Sequence, residues 1–268
     1  MIRIRRGEEP EALAVERRRR RAVCDLIERG LRDGTMDLER GYQCAAERLR
    51  EAHHQKCAYC ERRLGHEGEP VEHFRPKGRV DSRDVQGNAG GYWWLAWTWE
   101  NLLVSCVTCN SAGCKGNRFD LVDDSERLAA RASPPGREVS MLLDPTREDP
   151  LDFIQFFLEN DGVWRPRPRA GIGEQEVRRA NYTIEVLGLR NGNWPTYYTQ
   201  CVTHLAAYVE GVHGAIGATR DTTDRDALHR AWRRLLGVAF ARHGEYHALL
   251  WDYLREEFPE ALREAWDL

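Results

Sequence analysis

An α+β fold is predicted for this 268-residue chain, and three observations predict it. Two Cys-x-x-Cys pairs, Cys57/Cys60 and Cys106/Cys109, stand far apart in sequence. A tetrahedral thiolate zinc site needs that arrangement, because each pair supplies two sulfurs about 2.3 Å from one ion. Between the pairs, the short apolar run Val71–Phe74 is closed by Pro76 and followed by a Gly- and Asp/Asn-rich stretch, a strand-and-loop signature. Outside the pairs, apolar residues recur at helical spacing. The expected organisation is a helical N-terminal clip (1–53), a zinc-stapled centre (54–125) and a mainly helical C-terminal region (126–268).

Residues 9–32 read as the first helix, with Leu13, Val23, Leu26, Ile27 and Leu31 as its apolar stripe and Gly30 and Gly34 at its end. Arg17 to Arg21 run consecutively around it. They form either a solvated face or a phosphate-contacting one, since the planar arginine fork suits phosphate oxygens. A second helix is expected over 36–53, with Leu38, Tyr42, Ala45, Ala46 and Leu49 inward. In the centre, Cys57–Cys60 reads as a turn, Val71–Phe74 as a strand and 78–91 as a loop. The cluster Tyr92, Trp93, Trp94, Trp97 and Trp99 is core by default, with base stacking as the other reading. A helix carrying Lys115 and Arg118 is expected to start near Asn110.

Beyond Phe119, Arg131–Gly136 reads as a linker, and Asp161-Gly162 between Phe153–Leu158 and Val163-Trp164 predicts a β-hairpin. Residues 173–188 predict a helix ending at Gly188. The stripes Trp194 to Val212, Leu228 to Ala239 and Leu249 to Leu254 predict three more, and Pro259 opens a short last one. These faces read as core or as a surface for a partner protein.

Composition bounds the function. With 31% charged and 41% hydrophobic residues the chain is ordinary globular material. A formal net charge of -3 excludes a uniformly basic nucleic-acid coat, so any phosphate-binding surface is a local patch. No apolar run reaches the roughly 20 residues of a bilayer span, and Met1–Arg6 leads into charge. The expectation is a cytoplasmic protein without a membrane partner, whose reduced cysteines make the paired ones a metal signal. Cys24, Cys44, Cys114 and Cys201 read as small buried hydrophobes, with Cys114 an alternative ligand of poorer spacing. His53, His54 and His66 flank the first pair as candidate supporting donors.

The order Cys57-x-x-Cys60, Glu72-His73, Asn101, Cys106-x-x-Cys109-Asn110 and Lys115 resembles the HNH endonuclease family and its ββα-metal fold, in an "HNN" variant. The resemblance implies that His73 is the general base, that Glu72 and Asn110 hold a catalytic Mg²⁺ or Mn²⁺, and that Asn101 steadies the loop and the base. It further implies that Cys57, Cys60, Cys106 and Cys109 hold a structural Zn²⁺. Arg75, Lys77, Lys115 and Arg118 are then plausible phosphate contacts. Many family members carry Asp where Glu72 stands, which weakens the assignment of Glu72 as metal ligand.

A wider set of segments is similar to the PtuB-like HNH proteins of Septu-type and retron-associated anti-phage systems. It comprises Met1-Ile-Arg-Ile4, Val71–Lys77, Trp99–Leu103, Cys106-x-x-Cys109-Asn110, Leu143-Asp-Pro145 to Asp149-Pro150 and Thr183–Leu189. That similarity implies an ABC-type, PtuA-like ATPase partner. No Gly-x-x-x-x-Gly-Lys-Ser/Thr loop is present, so another chain handles any nucleotide. The leading expectation is a metal-dependent endonuclease cutting DNA. RNA cleavage and a catalytically silent zinc module for DNA binding or assembly are the alternatives.

Overall fold

A computed structural model of the chain describes all residues except 27, 29, 31–40, 66–69, 84–88, 124 and 220–224. It is α+β, with small sheets among helices. Helix α1 (Glu11–Leu26) packs on a 3-10 turn, Gly41–Ala45, which continues into α2 (Ala46–Ala52). Leu13, Tyr42, Ala45 and Leu49 are buried, as the periodicity requires, but Val15 and Val23 of α1 face solvent. The second predicted helix is thus split, and its first residues lie outside the described ones.

The centre is built on a short hairpin, β1 (Val71–His73) against β4 (Leu102–Val104), antiparallel with Glu72 opposite Leu103 and His73 opposite Leu102. The loop expected over 78–91 contains a second two-stranded piece, β2 (Arg79–Val80) with β3 (Ala89–Gly90). Gly91 lets it close, because a Cβ there would lie 2.5 Å from the Lys77 carbonyl carbon. Tyr92, Trp93, Trp97 and Trp99 are buried in the core and Trp94 is half-buried, so packing, not display, is the role of the aromatic cluster.

Helix α3 (Val107–Asn110) sits inside the second cysteine pair and stops at Asn110, where a helix was expected to begin. Ser111 is extended, and Gly116 at φ +45 turns the chain back so that Lys115 N–H bonds the Cys109 carbonyl at 3.1 Å. Lys115 and Arg118 therefore lie on a looped return, not on a helix.

The segment read as a linker is packed. Trp94 Nε1 donates to Ala132 O at 2.9 Å, Arg131 stacks over Trp93, and Leu128 and Glu138 are buried. The Asp-Gly hairpin is present as β5 (Ile154–Leu158) and β6 (Trp164–Pro168), with Gly162 at φ +78. Pro166 and Pro168 are tolerated because each strand is an edge.

Helices α4 (Glu174–Val186), α5 (Trp194–Thr219), α6 (Asp226–Ala239), α7 (His247–Glu257) and α8 (Glu260–Trp266) complete the chain. Gly188 at φ +62 follows the end of α4. Among the described residues, no helix is long and apolar enough to cross a membrane. Glu61, just after the first cysteine pair, accepts from His247 N (2.8 Å) and Ala248 N (3.2 Å) and so caps α7. Burial raises the Glu61 pKa, but the Met1 amino group 2.6 Å away and Lys56 outweigh it, so the carboxylate is held below its usual range.

Candidate active site and metal centre

The four paired cysteines converge. Their Sγ atoms lie within 4.8 Å of one another and all four are buried; Cys60 and Cys106 are 3.8 Å apart. Four sulfurs on a tetrahedron of radius 2.3 Å stand about 3.8 Å apart, so the donor set fits one zinc ion. Each pair is shaped locally. Ala58 N–H bonds the Val104 carbonyl at 3.0 Å, which splices the first turn onto β4. Cys106 precedes α3 and its sulfur accepts from Cys109 N at 3.5 Å. Hydrogen bonds from its three partners hold the Cys106 thiol far below its usual pKa, while burial pushes Cys60 well up. Four buried thiols cannot all ionise side by side without a cation.

Of the other cysteines, Cys44 is exposed, Cys114 and Cys201 are half-buried, and the Cys24 side chain lies outside what is described. Burial as small hydrophobes therefore fails for Cys44, and Cys114 does not join the cluster; its thiol faces Leu187 O at 3.7 Å.

The hairpin places Glu72 and His73 beside this centre. His73 Nε2 is 3.0 Å from Ala96 O, and a carbonyl only accepts, so Nε2 carries the proton and Nδ1 the lone pair. Tyr42 packs edge-on to the ring at 4.6 Å. Burial first, then the Lys77 charge, push the His73 pKa down to about 3, which keeps the ring neutral at physiological pH.

Asn101 is fully buried. Its Oδ1 accepts from Arg75 N (2.9 Å), and its Nδ2 donates to Arg75 O (3.0 Å) and Leu95 O (3.4 Å). It thereby clamps the chain leaving β1 to the turn that carries Ala96.

Glu72 is buried, with Oε1 at 2.5 Å from Lys115 Nζ and 3.5 Å from Tyr59 OH. Burial raises its pKa and Lys115 pulls it back. The same ammonium donates to His73 O (2.8 Å) and Gly116 O (3.2 Å), which spends all three of its N–H groups. Lys115 is therefore a buried brace under Glu72 and His73, and its ammonium does not face solvent. Arg75 is likewise buried, with Nε 2.5 Å from Glu138 Oε2 and its guanidinium over Phe74 and Phe119. Of the four cations read as phosphate contacts, Lys77 and Arg118 are the ones that remain half-exposed, as does Asn110 at the end of α3.

His53 is buried and His54 half-buried, whereas His66 lies outside the described residues. Tyr59 and Glu138 shape the site without any sequence signal marking them, because their contacts join distant segments, whereas Tyr42 reads from the sequence only as an inward helix residue.

Among the described residues, the four cysteines are the cluster of His, Cys, Asp and Glu donors that converges on one point, and neither Glu72 nor His73 joins it. Glu72 Oε1 is taken up by the Lys115 ammonium. No family model matches the chain. Over 125 residues it is 36% identical to Septu protein PtuB of Bacillus mycoides, a stretch that covers 46% of this chain and 41% of that protein. The chain is thus similar to PtuB over less than half of either length.

Proposed function

We propose that this chain is a metal-dependent HNH-type endonuclease, the cutting subunit of an anti-phage complex with a PtuA-like ABC-type ATPase. The observation that carries the catalytic part is the state of His73. Its Nε2 is held by Ala96 O, which leaves the Nδ1 lone pair outside the bond that fixes the ring. An imidazole oriented this way would take the proton of an attacking water. Asn101 fixes the backbone on both sides of it. Glu72 and Asn110 would hold Mg²⁺ or Mn²⁺, which supplies positive charge where a phosphodiester accumulates negative charge. The cysteine cluster would hold zinc and keep the β1–β4 hairpin in register with α3. Lys77 and Arg118 are the half-exposed cations that would meet substrate phosphates. The similarity to PtuB supports the defence role and the ATPase partner.

The test is cleavage of supercoiled plasmid and of RNA by the purified chain, alone and with its co-purifying ATPase, in Mg²⁺, Mn²⁺ or EDTA. Metal-dependent cutting that disappears in His73→Ala, at unchanged zinc content, is the expected result. Absence of cutting on both nucleic acids with the partner present would rule the reading out.

A further inference from the structure

An open groove of about 600 Å³ runs between the Ile2–Gly7 segment and α2, floored by Cys57 and Ala58 of the first cysteine pair. Arg3 and Arg5 point outward from that segment while Ile4 points in, and neither arginine has a charged or hydrogen-bonded partner among the described residues. Arg48 and Arg242 complete the rim; Arg242 Nε rests on a histidine nitrogen, His54 Nδ1, at 3.3 Å. The groove's acids are engaged already, Glu51 by Arg48 at 2.9 Å and Glu61 by the Met1 amino group.

Beneath the rim lies Arg6, whose Nη1 donates to Trp99 O at 2.6 Å while Nε and Nη2 are buried without partners. Asp144 and Glu100 act on its charge from a distance, and neither makes an ion pair with it. A buried guanidinium with Nε and Nη2 left without partners is costly, and an anion overhead lowers that cost.

Of the cations that the sequence offered for phosphate, Arg17 is spent on Glu9, Arg20 on Glu16, Arg75 on Glu138 and Lys115 on Glu72, while Lys77 and Arg118 stay half-exposed. On a chain of net charge -3, Arg3 and Arg5 stand on this groove without an acidic partner, Arg242 leans on a histidine, and Arg48 shares its charge with Glu51. Arginine forks match phosphodiester oxygens and carry no sequence preference. The floor is also tied to the catalytic hairpin, since Ala58 bonds Val104, the β4 partner of Val71.

We propose that this groove is a track for the phosphate backbone of the nucleic acid, an inference that rests on the nuclease reading. The test is fluorescence anisotropy of labelled single-stranded DNA and RNA with the full chain, wild type against the quadruple variant Arg3→Gln/Arg5→Gln/Arg48→Gln/Arg242→Gln. All four side chains sit at the surface, and a urea midpoint checks that the variant is folded. Each phosphate contact contributes about 0.7 to the slope of log K against log salt for a single strand, so the variant's slope should be shallower by about 2 to 3. The control Arg18→Gln/Arg21→Gln, on the exposed side of α1, should leave the slope unchanged.

An unaltered slope in the quadruple variant overturns the proposal, and so does an equal loss in the control. Loss of the ATPase subunit with nucleic-acid binding intact would make the groove a protein-docking surface and overturn it too. Cleavage by the wild-type chain together with an unaltered slope removes the groove but keeps the nuclease. A shallower slope with no cleavage by any preparation does the reverse.

Discussion

Asn101 illustrates how one side chain can order the backbone around a candidate site. Its three hydrogen bonds satisfy the buried Arg75 N–H and two carbonyls. Asn101→Ala leaves those groups unpaired in the interior, and each such group costs about 1–3 kcal/mol. We expect a loss of about 2–4 kcal/mol in urea unfolding.

His53 gives a second residue-scale prediction. Burial first, then the charge of Arg6, depress its pKa from 6.5 to about 3. The unfolded chain therefore binds a proton in this window that the folded chain refuses. Stability contributed by neutral His53 is fully present above pH 6.5 and is lost as pH falls towards 3, by about 1.4 kcal/mol per unit. Urea unfolding at pH 6.5 and pH 5 should show wild type losing about 2 kcal/mol more than His53→Leu. Equal losses would show that His53 is already solvated in the folded state.

At the scale of elements, the two cysteine turns and the β1–β4 hairpin form one unit. Cys60→Ser removes one of four ligands, and zinc binding in such sites is itself folding free energy. The variant should lose its one equivalent of zinc by elemental analysis. Its thermal midpoint should fall, and because α4 to α7 share one hydrophobic core with the two cysteine turns, their far-UV circular dichroism signal should melt at that same lowered midpoint. The α7 cap depends on the same unit. Glu61→Ala leaves His247 N and Ala248 N uncapped, at a cost of about 1–3 kcal/mol in chemical denaturation. A change below 0.3 kcal/mol would mean that α7 does not lean on the knuckle.

Across the whole molecule, the Arg75–Glu138 pair joins the hairpin exit to the segment after Arg131, with Tyr92 and Arg127 completing the network around Glu138. Removing one partner of a buried pair strands a charge and costs about 3–5 kcal/mol, whereas replacing both by apolar residues is often near neutral. Glu138→Leu should therefore be severely destabilised, and Arg75→Met/Glu138→Leu should recover most of the loss. The urea midpoints of the cycle check this, and additive losses would mean that the two side chains do not act as a pair.

The sequence by itself determined the parts whose causes are local or strictly spaced: the cysteine pairs, the β1 strand closed by Pro76, the Asp-Gly hairpin and the helical C-terminal stripes. These follow from ligand valence, proline geometry, turn conformation and 3.6-residue periodicity, all of which act within a few residues. Only the tertiary structure decided which charges are free. Lys115 and Arg75 read as surface cations, but they are buried because their acids, Glu72 and Glu138, come from 43 and 63 positions away. The helix expected after Asn110 gave way to a return loop because the ammonium of Lys115 has to reach β1. Arg3 and Arg5, unremarkable in sequence, became a groove rim because Ile4 packs inward and turns its neighbours out. Spacing along a chain fixes which groups can be ligands, and packing between distant segments fixes which of them remain unpaired.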